Sequence, residues 1–329
     1  MADYYPLLFE PVLKDYVWGG RSLETILGRR LPPGVTAESW EIAAHPNGNS
    51  VVKNGPYTGL TLSALHEILG LDLVGRNSLW AHQRGKFPLL VKILDARERL
   101  SVQVHPNDDY ALLHENKELG KTEMWVVLHA EPDGSIILGV KAGTRPDRFK
   151  AAAIEGNLDQ FLNKITVKPG DFICVPSGSL HAILGGLVIA EIQQNSDVTY
   201  RVYDWGRQGA DRPLHLDKAM EVINFNQVEP ALKNALPLPS PAGQRREALC
   251  TNEYFTVERW FLAEGQLYEG ECDGSTFEIW GSLNGVTHVE GGGVRVNLPA
   301  VNFTLLPAAL GPFRVHAQSE ATLLRIYSK

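Results

Sequence analysis

Short runs in which apolar and polar positions alternate, broken by turn residues, dominate this chain. They predict strands over 88–94, 100–105, 123–129, 135–140, 171–175, 187–194 and 198–203. Beyond residue 245 the same pattern returns over 254–263, 276–281, 301–306 and 321–327. Helical spacing is rare. It marks 61–69 (Leu62, Leu65, Ile68, Leu69), 146–163, which opens on Pro146 and Asp147, and 215–224. Such a pattern predicts a mainly β chain of sandwich or barrel type. The stretch 229–244 holds four prolines and reads as an extended linker. It separates a first domain, 1–228, from a small C-terminal β domain, 245–329.

The faces of these strands carry the chemistry. Residues i and i+2 of a strand share a face, so Gln103 and His105 point one way while Leu100, Val102 and Val104 point the other. In 123–129, Glu123, Trp125, Val127 and His129 share a face opposite Met124, Val126 and Leu128. From Glu191 to Tyr203 the odd positions, Asp197, Thr199 and Arg201 among them, are polar or amphipathic, and the even ones are largely apolar. The odd face is expected to line a solvated pocket and the even face to pack against a second sheet. His181 follows the glycine-containing turn Pro176-Ser-Gly-Ser-Leu180, which can return it to that pocket.

Gln103, His105, Glu123 and His181 then form a two-imidazole, carboxylate and amide set that suits zinc. Manganese, iron and cobalt are also compatible. Each residue has an ordinary alternative. Any one of the ten histidines is more often a surface or hydrogen-bonded residue, Glu123 could be a strand-end charge, and Arg201 could pair structurally with Glu191. His114 and His129 keep the ordinary reading.

Bulk properties narrow the function classes. A length of 329 residues fits one large or two medium domains, and a net charge of −7 argues against nucleic-acid or anionic-membrane partners. An anionic substrate must therefore be held by local cations. Cys174, Cys250 and Cys272 form no CxxC pair, which disfavours a disulfide framework and a cysteine-based zinc site. The chain shows no apolar run of about 18 residues and no basic, apolar leader, so a soluble cytoplasmic protein is expected.

Six ordered stretches resemble the type I mannose-6-phosphate isomerase family, in its shorter bacterial branch. They are Val17-Trp-Gly-Gly20, Glu38-Ser-Trp-Glu41, Leu100-Ser-Val-Gln-Val-His-Pro-Asn-Asp108, Gly120-Lys-Thr-Glu123, Val175-Pro-Ser-Gly-Ser-Leu-His181 and the run from Glu191 to Asp204. The resemblance spans about residues 10–225. It implies cupin-like jelly-roll barrels with a few short helices, the second barrel lacking metal ligands. It also implies one Zn2+ per chain on Gln103, His105, Glu123 and His181. The implied reaction interconverts mannose 6-phosphate and fructose 6-phosphate through a cis-enediol(ate), with Arg201 catalytic. A small phosphosugar would be the partner, and the chain a monomer or weak homo-oligomer. The family's longer members carry Lys-Pro-Glu where this chain has Lys121-Thr-Glu123, and they differ after Arg201.

Within such a site Arg201 could stabilise the enediolate or clamp the phosphate, and Lys121 is a second anion-binding candidate. Asp197 or Glu191 could serve as general base. Two rivals remain at this stage: an iron-dependent cupin oxygenase, and a sugar-binding or storage cupin whose metal only holds the fold. An amide ligand with an arginine and a lysine beside it fits an anionic sugar better than an open oxygen site.

Overall fold

The computed structural model describes residues 4–207, 212–241 and 243–329. Strands dominate it, with a few short helices, and its two β units have the cupin-like organisation that the family resemblance implies. One compact unit comprises Leu13–Ser39 and Lys92–Lys233; the other comprises Met1–Val12, Trp40–Val91 and Asn234–Lys329. This division differs from a cut near residue 228. Backbone hydrogen bonds explain why: Asn77 N–H reaches Ser275 O at 2.8 Å, Ala308 N–H reaches Leu73 O at 3.0 Å, and Leu7 N–H reaches Leu305 O at 2.8 Å. The segment 40–91 thereby groups with the C-terminal strands, a pairing that no local sequence signal announces.

In the unit that carries the predicted site, one sheet runs in the order Leu162–Thr166, Ser135–Val140, His181–Ile183, Val102–Val104, Tyr200–Tyr203. A second sheet holds Phe172–Val175, Glu123–Ala130, Leu187–Gln194, Leu89–Ala96, Glu38–Ile42 and Val12–Lys14 in that order. Between them lies a core of Trp18, Leu94, Trp125, Val127, Ile136, Ile183 and Ile189. The other face of the first sheet, with Val102, Val104, Tyr200 and Val202, packs on Phe149, Ala153 and Ala219. Those residues belong to the helices Pro146–Glu155 and Leu216–Val222. The apolar face therefore meets helices, not the second sheet expected for it.

Several boundaries shift for local reasons. The helix expected over 146–163 stops at Glu155, because Gly156 takes a left-handed conformation (φ 77°), and Leu162–Thr166 becomes a strand. Part of the proline-rich segment is a strand too. Leu236–Leu238 pairs with Arg245–Thr251 at a sheet edge, where Pro237 is tolerated.

The C-terminal unit is built from two sheets sharing a core of Trp260, Trp280, Val289, Phe313, Val315 and Leu323. Cys272 is buried and free. No described helix is long and apolar enough to cross a membrane.

The segment leading into Glu123 is pinned from two directions. Asp108 Oδ1 accepts from Gly120 N–H (2.7 Å) and from Gln194 Nε2 (2.9 Å), and Gln194 Oε1 accepts from Thr122 N–H (2.9 Å). Gly120 is required by proximity: a Cβ there would lie 2.5 Å from the backbone of Asn107 and Asp108. Gly120→Ala is expected to lower stability by about 1–3 kcal/mol in denaturant unfolding, as overpacking does. An unchanged midpoint would show that the backbone yields freely here.

Candidate metal centre and anion-lined cavity

Strand register brings the predicted residues together. His181 and Arg201 are both register partners of Gln103, one on each side of it. Opposed residues on neighbouring strands present side chains to the same face, so the three form a row across the first sheet. Glu123 comes from the second sheet, where it pairs with Val175 and Gln193. His105 lies one residue past the end of its short strand, held by Gly178 N–H donating to His105 O (2.8 Å).

His105, Glu123 and His181 form a buried cluster whose donor atoms all lie within 4.8 Å of one another. Glu123 Oε1 is 3.3 Å from His181 Nε2, and Oε2 is 3.6 Å from His105 Nε2. Each imidazole spends its Nδ1 on a carbonyl, His105 on Val198 O (2.8 Å) and His181 on Ser179 O (2.9 Å). That places the Nδ1 proton and leaves both Nε2 lone pairs facing the carboxylate. His181 Nε2 is fully buried and accepts or donates no hydrogen bond.

Electrostatics reinforce this state. Burial, then Lys121 and His181, hold His105 well below its ordinary pKa, and burial lowers His181 to about 4. Burial pushes the Glu123 carboxyl up to about 7 against the pull of Lys121, whose Nζ is 2.9 Å away. Two neutral imidazoles and one carboxylate, convergent and buried, are a donor set for a divalent cation.

Beside the cluster is a cavity of about 500 Å³, a size that accepts a small metabolite. Gln103, Lys121, Glu191, Asp197 and Arg201 all line it, so every sequence-predicted site residue lies in the cluster or on this wall. Glu191 is buried between two lysines, with Oε1 3.5 Å from Lys92 and 4.0 Å from Lys121, and its Oε2 accepts from Trp125 Nε1 (3.1 Å). Burial alone would raise its pKa, but Lys121 and Lys92 outweigh burial and hold it below the usual carboxylate value. The alternation of faces survives the turn between strands, since Asp197, Thr199 and Arg201 stay on the wall. It fails at Tyr203, where the register slips after Arg201 and the ring joins the helix-side core. Leu100 also departs from its expected face: it precedes the strand and lines the cavity.

Comparison with known proteins now decides the family. The description "Phosphomannose isomerase type I, catalytic domain" matches residues 7–123. A mannose-6-phosphate isomerase of Bacillus subtilis is 39% identical over 319 residues, covering 96% of this chain and 97% of that protein. The Streptococcus mutans enzyme of the same name is 43% identical, covering 78% and 79% respectively. The crystal structure of the mannose 6-phosphate isomerase from Bacillus subtilis superposes with a TM-score of 0.85 at 34% identity, covering 98% of this chain and 99% of that one. The chain belongs to the type I phosphomannose isomerase family.

For this family member, sequence reasoning overlooked several cavity residues. Lys92 is buried and paired with Glu38 (3.6 Å) and Glu191 (3.5 Å). Its signal was available: one cation inside the apolar run Leu89–Leu94 has to be paired. Tyr16, Arg212 and His215 also line the wall, and nothing in their local sequence marks them. The ordinary reading of two histidines holds, with His129 beside Glu131 (3.5 Å) and His114 stacked on Tyr110.

The raised Glu123 pKa has a consequence for cation binding. Below about pH 7 this carboxyl holds a proton that a cation must displace, whereas the two imidazoles are already neutral. Affinity for a divalent cation is therefore expected to fall as pH drops from 7.5 to 6, with about one proton released per ion bound. Calorimetry in buffers of different ionisation enthalpy measures that number. A count near zero would mean that Glu123 is ionised beforehand.

Proposed function

We propose that this chain is a zinc-dependent aldose–ketose isomerase that interconverts mannose 6-phosphate and fructose 6-phosphate. The observation that carries the reading is the buried His105–Glu123–His181 cluster beside a cavity walled by Lys92, Lys121, Arg201 and Arg212. Relatives bearing the name mannose-6-phosphate isomerase over nearly the whole chain support it. One Zn2+ per chain fits the donor set, with Gln103 as the fourth ligand, and other divalent cations suit it too. When bound, the ion would act as a Lewis acid towards sugar oxygens.

The chain's own groups account for the remaining requirements. Isomerisation moves a proton between C1 and C2 through a cis-enediol(ate). That calls for a base and for positive charge near the developing oxyanion. Glu191 is ionised, fixed by the Trp125 indole and flanked by Lys92 and Lys121, so it suits the role of base; Asp197 is the alternative on the same wall. Arg201, whose guanidinium donates to Pro213 O at 2.9 Å, is held in place to stabilise the enediolate. Lys121 sits between Glu123 and Glu191 and lowers the cost of two buried carboxylates.

A coupled assay of fructose 6-phosphate formation tests this reading, and no turnover by metal-replete protein would refute it in favour of a binding module. Arg201→Ala is expected to lower kcat by about 10²–10³ with zinc content unchanged, as loss of an oxyanion partner does. His181→Ala should lose zinc together with activity, by more than the ~10–100-fold cost of an outer partner. Glu191→Gln should lower kcat by about 10²–10⁴ if it is the base. A small effect there with a large one for Asp197→Asn would transfer the role to Asp197.

A further inference from the structure

A second cavity, of about 680 Å³, opens on the face of the first sheet that looks away from the metal cluster. Ile137, Leu162, Leu184 and the Trp205 ring form its floor, and all four belong to the helix-side core or pack against it. Leu100 divides the two cavities. Its carbonyl accepts from Trp205 Nε1 (2.7 Å), while its side chain lines the wall beside the cluster. Period two puts Lys164 on the face of Leu162, and the register sets it opposite Ile137. With Arg99 and Lys141 it makes a rim of three exposed cations.

The rim is prepared for a ligand. The Arg99 guanidinium sits 4.3 Å over the centre of the Trp205 ring, which is fixed by its bond to Leu100 and by an edge contact with Tyr203 (5.2 Å). Stacking occupies the flat face of a guanidinium and leaves its N–H edge to donate. Lys141 Nζ gives one hydrogen bond to Asp159 O at 3.4 Å and keeps two further donors. Glu98 and Asp159 also line the cavity. Among the described residues, however, no carboxylate is within ion-pair distance of Arg99, Lys141 or Lys164. Three cations against two carboxylates make this lining positive in a chain whose net charge is −7.

We infer that this cavity is a binding site for a nucleoside diphosphate, separate from the cavity beside the metal cluster. Each part of such a ligand has a counterpart in the lining. The diphosphate matches the three cations, with Arg99 held for directed, charge-assisted hydrogen bonds. An aromatic base suits the apolar floor, and the volume falls in the range that small-ligand sites use. Glu98 and Asp159 decide between a nucleotide and a bare polyphosphate. A purely anionic ligand would meet like charge there, whereas ribose hydroxyls can donate to a carboxylate.

Calorimetry with ADP and UDP on the zinc-loaded protein tests the assignment, with adenosine and pyrophosphate as the separate halves of the ligand. At least one nucleotide is expected to bind, about tenfold or more tightly than either half, and to weaken as ionic strength rises. Arg99→Glu and Lys164→Glu, both at exposed positions, should each weaken that binding by about tenfold or more. Their kcat and KM for mannose 6-phosphate should stay within about twofold of the unmodified chain. Failure of both nucleotides to bind, affinity unchanged in both variants, or pyrophosphate binding as tightly as nucleotide would overturn the inference. A parallel loss of mannose 6-phosphate turnover in these variants would tie the cations to the other cavity and overturn it too. Nucleotide binding through these residues in a protein that turns over no mannose 6-phosphate would overturn only the proposed reaction.

Discussion

Burial of two neutral imidazoles against one carboxylate is the constraint around which this site is organised. Removing ionisable groups from water is costly unless each finds a partner. The fold meets that demand one atom at a time. Each Nδ1 is assigned to a carbonyl, Glu123 is supported by Lys121, and the fully buried His181 Nε2 is left for a further ligand. A divalent cation would complete the arrangement, because it converts three mutually strained donors into partners of a single charge. The sheets supply the geometry. Gln103, His181 and Arg201 occupy one cross-strand row, and Glu123 arrives from the second sheet.

The same physics recurs in the C-terminal unit with a different outcome. There Trp260 Nε1 donates to Glu258 (2.8 Å), Trp280 Nε1 donates to Glu278 (2.8 Å), and Arg325 is hydrogen-bonded to Glu278. In the unit that carries the candidate site, Trp125, Glu191 and Lys92 make an equivalent indole, carboxylate and cation chain. Arginines and tyrosines complete the C-terminal version, since Arg246 and Tyr327 also approach Glu258. One unit thus satisfies its buried carboxylates as structure. The other leaves Glu191 flanked by Lys92 and Lys121 on a cavity wall.

Alternation in the strands made much of the site legible. Gln103 and His105 could be placed on one face, and Asp197 and Arg201 on the same side beyond a turn, because period two survives wherever backbone pairing is regular. It misleads where pairing is irregular, at the register slip before Tyr203 and at Leu100 outside the strand. Lys92 was readable in principle as a lone cation in an apolar run. The wall formed by Pro213 and His215 was not, because its position depends on hydrogen bonds from Arg201 to a segment with no periodicity. Likewise, the grouping of 40–91 with the C-terminal strands rests on long-range backbone contacts that leave no local trace.

The most direct test of the central claim is a zinc titration of chelator-stripped protein, followed by fructose 6-phosphate formation from mannose 6-phosphate. The account predicts no turnover in the stripped protein and a linear rise that breaks at one zinc per chain. Full activity in protein verified to be free of metal would contradict it.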